Sequence, residues 1–396
     1  MSSDSFSTES PFFTDAQRRL AASVASFVWR EIEPHAAAAE EATDEDYRAL
    51  VGLLAEADLL RHAVARPGAQ LDLRALCLVR EELAYSSALA DLAFVLQGLG
   101  TYALSLAAPE HVREFWLARA ATGKSIAALA LTEAEAGSDV AAIATTARRE
   151  GDAYILDGRK RFISNAGVAD FYTVFARTGT RPDGRAELSA FVVGARMPGF
   201  SVRERMRLIA AHPLGEIEFT ALRVPAEDRV GAEGDGFRLA MQTMNTFRAS
   251  VGAAACGMAR RALDEALAYA QRRRQFGAPL ASFQLIQAKL AEMATALDAA
   301  RLMVYRAAYL HDTGVAAEAV GLTASLTRAA SEAKLFATEA AWRIIDEAVQ
   351  IHGGAGLVHG HTVERLYRDI RALRIYEGTS EIQKLVIARE LLKDER

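Results

Sequence analysis

From Leu20 through Val24, Phe27, Val28 and Ile32, apolar residues recur at the three- and four-residue spacing of a helix that buries one face. Thr14 followed by Gln17 opens this stretch as a capping box, each side chain answering a backbone N–H of the first turn. The same period returns over residues 44–58, 72–97 and 109–120, so residues 1–123 read as a helical domain. Near Lys124 the texture changes to short β-rich runs at residues 125–131, 153–156, 171–176, 188–193 and 217–222. Turn chemistry separates them at Glu150-Gly151-Asp152, Asp157-Gly158, Arg181-Pro182-Asp183-Gly184 and Pro198-Gly199, and residues 124–233 read as a β domain. Beyond Gly234 the helical period resumes over residues 237–274, 282–312 and 315–351. A second capping box, Ser380 to Gln383, starts a last helix reaching Lys393, which makes residues 234–396 a third, helical domain. Helical, β, helical is an α+β order.

Composition narrows the class. Apolar residues are 51% and charged residues 24% of 396, which is a folded globular chain and not a disordered one. With 46 Lys and Arg against 51 Asp and Glu, the net charge of −5 lacks the cation surplus that nucleic-acid phosphates require. Six of the 46 basic residues are Lys and 40 are Arg, a bias read as genomic. Two cysteines, Cys77 and Cys256, cannot build a disulfide framework; both sit in apolar helical contexts, and a reducing cytoplasm is expected. The Ser-rich start carries acid and no Lys or Arg, unlike a signal or transit peptide. Residues 92–108 are uncharged but include Gln97, Thr101 and two glycines, and fall short of the ~20 residues that cross a bilayer. A buried core helix is expected there, with no membrane.

Two patterns fail their own context. Gly98-x-Gly100-x-x-Ala103 fits a loose dinucleotide fingerprint but follows no strand. His352, His359 and His361 lack the i, i+4 spacing and acidic partner of a helical metal site, and no metal is expected.

Leu131-Thr132-Glu133-Ala134-Glu135-Ala136-Gly137-Ser138-Asp139 resembles the first signature of the acyl-CoA dehydrogenase family. Arg368-Asp369, followed by Ile375-Tyr376-Glu377-Gly378-Thr379-Ser380-Glu381-Ile382-Gln383, resembles its C-terminal signature. Arg272-Arg273-Arg274-Gln275-Phe276-Gly277, Gln284 with Gln287, and Gln350-Ile351-His352-Gly353-Gly354 fall where the family pattern has them. The resemblance covers nearly the whole chain. It implies an N-terminal helical domain, a central β-barrel domain and a C-terminal four-helix bundle.

It also implies an activity: FAD-dependent α,β-dehydrogenation of an acyl-CoA thioester in fatty acid metabolism, with electrons passed to an electron-transfer flavoprotein by a homotetramer. Glu377 corresponds to the base that removes the α-proton, a task that suits a desolvated carboxylate. Some branches carry the base just before the Arg of the long helix after the β domain; here that slot, ahead of Arg248, is Phe247, which cannot abstract a proton. The flavin contacts implied are Leu131, Thr132, Gly137 and Ser138, then Phe162, Ile163 and Ser164, where the family usually has Trp-Ile-Thr. Arg273, Gln275 and Phe276 correspond to the segment that reaches FAD on a neighbouring subunit. Gln284, Gln350, Gly353, Gly354, Thr379 and Glu381 complete that set. Ser138, Asn245, Arg248 and Gly378 are the implied substrate contacts, with Asp91, Phe94 and Val95 near the pocket wall. Without the resemblance, Glu377 would read as a solvated acid, Phe162 as strand core and residues 272–274 as a helix end.

Two departures stand out. Asn245 replaces a frequent Asp, and Ile209-Ala210-Ala211-His212-Pro213 differs from the usual Gly- and Arg-containing stretch. A flavin oxidase or monooxygenase on the same fold, or a non-catalytic relative, remains as an alternative; the retained Glu377 counts against the first and the charge against a DNA-associated form of the second.

Overall fold

A computed structural model describes residues 6, 10–182, 184–314 and 326–394. Asp183 of the expected turn and residues 315–325 of the expected helix lie outside the described residues. Helices α1 (Asp15–Phe27), α2 (Asp44–Glu56), α3 (Leu73–Ser86), α4 (Ala88–Ala107) and α5 (Glu110–Ala121) come first. Strands β1 (Ala127–Ala130), β2 (Thr146–Glu150), β3 (Ala153–Ser164), β4 (Phe171–Thr180), β5 (Ala186–Gly194), β6 (Phe200–Met206), β7 (Leu214–Pro225) and β8 (Arg229–Val230) follow. Then come α6 (Gly236–Arg272), the short strands β9 (Arg274–Gln275) and β10 (Ala278–Pro279), α7 (Gln284–Thr313), α8 (Leu326–His352), α9 (Thr362–Leu373) and α10 (Ser380–Asp394). The helical, sheet, helical order read from the sequence is the order observed.

Several boundaries differ for local reasons. The expected helix over residues 72–97 is two helices, because Ser87 adopts extended backbone between α3 and α4. The Asp157-Gly158 turn is instead the middle of β3: Gly158 sits at φ 143 beside a register shift, where a Cβ would lie 2.7 Å from Thr145 Cα. Strands β2 and β6 bury few residues, so no apolar alternation announced them. The capping box at Thr14 and Gln17 is present. At the start of α10 the cap is Thr379, whose hydroxyl accepts from Ile382 N at 3.3 Å; Ser380, expected as the cap, donates its hydroxyl to Glu339 at 2.6 Å.

The chain divides into two compact units. One holds residues 1–40, 72–91 and 246–396; the other holds 41–71 and 92–245. In the second, the strands pair in the order β6-β7-β3-β2-β4-β5-β8, with β1 parallel to β4. Phe171, Phe175, Leu188 and Val192 of that sheet pack with Val64, Leu104, Leu117 and Leu239. Helix α4 is long and apolar enough to cross a membrane by length and composition, but 94% of its most apolar window is buried in the protein, as a core helix is. In the first unit, α7, α9 and α10 all pack on α8. Buried ion pairs link its helices: Glu81 accepts from Arg301 Nε and from the Tyr305 hydroxyl, both at 2.7 Å.

Candidate active site

Glu377 lies in the loop between α9 and α10. It takes φ 52, a left-handed conformation uncommon for a residue with a Cβ, followed by Gly378 at φ 91. Helix α8 holds this loop from below. Lys334, fully buried, donates Nζ to Tyr376 O at 2.9 Å and to Gly378 O. One turn further along α8, Glu339 accepts from Arg374 Nε at 2.9 Å and from the Ser380 hydroxyl at 2.6 Å, so both ends of the loop are tied to one carboxylate. The buried Gln383 adds its amide, donating to Gly378 O at 2.9 Å and Glu377 O at 3.3 Å. The backbone is thus fixed, while the Glu377 Oε2 atom is sealed from solvent and accepts no hydrogen bond among the described residues.

Burial raises the Glu377 carboxyl above its ordinary range, and the cations Arg80, Lys334 and Arg248 pull against it. Arg80 is fully buried and bonded to both oxygens of Asp91 at 2.7 Å. Arg248 is buried and donates to the Ser331 hydroxyl at 3.2 Å. Phe247, beside it, is fully buried. Such a carboxylate, desolvated and without a donor on one oxygen, is able to take a proton from a bound ligand.

The residues expected on the flavin side form a second group, in the sheet unit. Glu133 staples the loop of residues 131–138 to β3: its carboxylate accepts from Lys160 at 2.7 Å, Ala144 N at 2.6 Å and Thr145 N at 3.0 Å. Thr132 O accepts from Arg161 N at 2.9 Å, which fixes the loop against the same strand. Gly137 and Ser138 are exposed, Thr132 half-buried and Leu131 buried. On β3, Phe162 sits at φ 57 next to a bulge and leaves 53% of its surface exposed, while Ile163 points into the core. The Ser164 hydroxyl lies 2.7 Å from His212 Nε2, and burial holds that imidazole neutral by pushing its pKa down to about 4. The departing segment therefore meets a hydroxyl expected on the flavin side directly. Asn245, in the first turns of α6, is half-buried.

A third group lies at helix ends. The β9–β10 hairpin carries Arg273 just before it and turns at Phe276 and Gly277, with φ 49 and 77. Arg273, Gln275 and Gln284 are exposed, and Phe276 is 95% exposed. Gln350 and the glycines 353 and 354 are exposed at the end of α8, where a Cβ on either glycine would meet nothing within 4 Å. Glu381 is exposed at the start of α10 and Thr379 is half-buried. His352 is occupied structurally: its Nδ1 lies 2.7 Å from Ala348 O and its ring packs on Tyr269. Sequence reasoning missed Lys334, Arg80 and Glu339, and read Gln383 only as a capping partner, though all four shape the Glu377 loop. A charged residue inside an apolar helical run, as Lys334 is between Ala333 and Leu335, was the available signal.

Comparison with known proteins agrees across the chain. Family models of the acyl-CoA dehydrogenase N-terminal, middle and C-terminal domains match residues 14–124, 128–222 and 234–392. A Clostridium sporogenes protein named 3-(aryl)acrylate reductase is 40% identical over 389 residues, 96% of this chain and 100% of its own. The butyryl-CoA dehydrogenase of Megasphaera elsdenii superposes with a TM-score of 0.86 at 32% identity, covering 96% of this chain and 99% of that one. A Bacillus anthracis acyl-CoA dehydrogenase complexed with FAD gives a TM-score of 0.88 at 30% identity, covering 97% of this chain and 68% of that one. This chain belongs to the acyl-CoA dehydrogenase family.

Proposed function

We propose that this protein is an FAD-dependent acyl-CoA dehydrogenase in which Glu377 removes the α-proton of an acyl thioester. The observation that carries the reading is the Glu377 carboxylate: desolvated, unbonded at Oε2 and set on a backbone pinned from three sides. The residues present fit FAD. Residues 272–274 put three exposed guanidinium groups near the hairpin, chemistry suited to a diphosphate. Gly353 and Gly354 leave open space where side chains would stand, so a phosphate can approach the backbone closely. Phe162 offers an exposed ring, and Thr132 and Ser164 offer hydroxyls, to the flavin end. When bound, FAD supplies the acceptor for the hydride that leaves the β-carbon.

The remaining work belongs to the chain. Glu377 takes the α-proton onto a carboxylate whose proton affinity burial has raised toward the task. Arg248 and Gly378 are the groups we assign to the substrate on this side, and Ser138 and Asn245 on the sheet side. Arg273, Gln275, Phe276, Gln284 and Gln350 hold the cofactor's far half, contributed to a neighbouring subunit of a homotetramer, and Thr379 and Glu381 flank it. Three segments, residues 1–123, 124–233 and 234–396, are the domains of this reading. Electrons leave to an electron-transfer flavoprotein, and the two buried thiols, Cys77 and Cys256, suit a reducing cytoplasm.

One observation favours the opposite net direction. The 40% identical relative is named 3-(aryl)acrylate reductase, and a protonated Glu377 would deliver a proton to the α-carbon of an α,β-unsaturated thioester by the same path reversed. Anaerobic mixing of the FAD-loaded protein with straight-chain, branched and aryl-substituted acyl-CoAs, followed by flavin absorbance, tests both. Bleaching by a saturated acyl-CoA supports dehydrogenation. Reoxidation of the reduced protein by an aryl-acrylyl thioester, with no bleaching by saturated ones, supports reduction; no response to any thioester overturns both.

A further inference from the structure

Six of the 46 basic residues are Lys, and two of those six, Lys160 and Lys334, are fully buried. Lys160 meets the Glu133 carboxylate at 2.7 Å, the usual arrangement for a cation removed from water. Lys334 instead donates to two backbone carbonyls, those of Tyr376 and Gly378. They belong to the residues immediately before and after Glu377. Hydrogen bonds to peptide carbonyls need no net charge, and a charge in this position is costly. Of the carboxylates that reward a charge here, Glu377 contributes most, ahead of Glu339 and Glu381.

We propose that Lys334 is the positioning residue of the base: it ties the backbone on both sides of Glu377, so that Oε2 stands unbonded, and its ammonium favours the ionised form of that carboxylate. The proposal rests on reading Glu377 as the base. The charged groups that act on Glu377 are Arg80 from α3, Asp91 from α4, Arg248 from α6 and Lys334 from α8, and the adjacent Tyr376 phenol, pushed up by burial, feels the Glu377 charge in turn. Arg80 is already paired with both oxygens of Asp91, whose charge offsets its own at Glu377. Arg248 attracts the carboxylate too, but it also disfavours the charge on Lys334, as Glu339 and Glu381 favour it. Burial draws the Lys334 ammonium down to about 8, so it stays largely charged near neutral pH while its charge remains sensitive to what Glu377 carries. The Lys334 ammonium reaches both carbonyls that flank Glu377 from one atom.

The test needs no substrate. Difference infrared spectra of the FAD-loaded protein against its Glu377→Gln variant isolate the Glu377 carboxyl band across pH. In Lys334→Met the midpoint of that band should rise by about one pH unit or more, since an adjacent cation is lost. Lys334→Gln, which keeps donors and drops the charge, should show the same rise. Coupling is reciprocal, so Glu377→Gln must lower the midpoint of Lys334 by an equal amount, read from 13Cε-lysine spectra that contain six signals. This second reading decides the matter if the Lys334 variants do not fold. An unmoved Glu377 midpoint in a folded Lys334 variant, or an unmoved Lys334 midpoint in Glu377→Gln, overturns the proposal. A protein that shows the coupling but reacts with no acyl-CoA would instead remove the reading of Glu377 as a base.

Discussion

Glu377→Gln keeps the shape of the side chain and removes its basicity. Flavin reduction by an acyl-CoA that bleaches the parent should fall by ~10²–10⁴-fold or more, with FAD content unchanged, in stopped-flow measurements. The same substitution has a stability signature with a definite sign. The folded carboxyl binds its proton more tightly than the unfolded one, so its contribution is fully present below the unfolded value of roughly 4.3 and is lost as pH rises through the raised folded value. The difference in Tm between Glu377→Gln and parent should therefore shift in favour of the variant as pH increases, and a difference flat in pH would contradict the raised carboxyl. Glu377 itself was legible in the sequence because a fixed string of neighbours marks it. The residues that make it work were not. Lys334, Glu339 and Arg80 lie far from it in the chain, and only the packing of α3 and α8 brings the charges of Lys334 and Arg80 to bear on it and sets Glu339 against its loop.

Elements were legible where burial follows one local period. Helix α1 answers to its apolar spacing and to the Thr14–Gln17 box; α2 was legible from its spacing, while its own box at Thr43 and Asp46 emerged only in the structure. Strand β3 did not, because Gly158 reads as a turn in any local window and becomes a bulge only when Thr145 packs over it. The failed dinucleotide fingerprint has a similar explanation. Gly100 lies where α4 meets β1: a Cβ there would stand 2.7 Å from Ala127 Cβ and 2.8 Å from Ala128 N, and Gly100 O accepts from the Thr173 hydroxyl at 2.6 Å. Gly100→Ala should thus be destabilising. The helix-propensity gain of about 1 kcal/mol is outweighed because one of the crowded atoms is backbone and cannot swing away, and overpacking costs ~1–3 kcal/mol. Urea unfolding should show a lower midpoint at an unchanged slope; a midpoint at or above the parent's would mean that α4 and β1 separate easily.

At the scale of the whole molecule, the expected site is composite, and that has consequences for binding. The β9–β10 hairpin holds out Phe276 at 95% exposure with Arg273 beside it, and α10 exposes Leu385 and Leu392 at 66% each. An aromatic ring and leucines this exposed are costly in water unless another surface covers them. If that surface is a second copy whose flavin site lies under the hairpin, FAD affinity and assembly become one equilibrium. Two outcomes are then expected together. Diluting the FAD-loaded protein below its assembly midpoint should release flavin in parallel with the fall in sedimentation coefficient. Arg273→Gln should keep the assembly and the far-ultraviolet spectrum but bind FAD ~10–100-fold more weakly, the loss expected for a hydrogen bond made to a charged group. The pairing of results matters, since Arg273 acting within its own chain would weaken FAD without making its release follow dissociation. A monomer that sediments with its full complement of FAD, at any concentration, excludes the composite site.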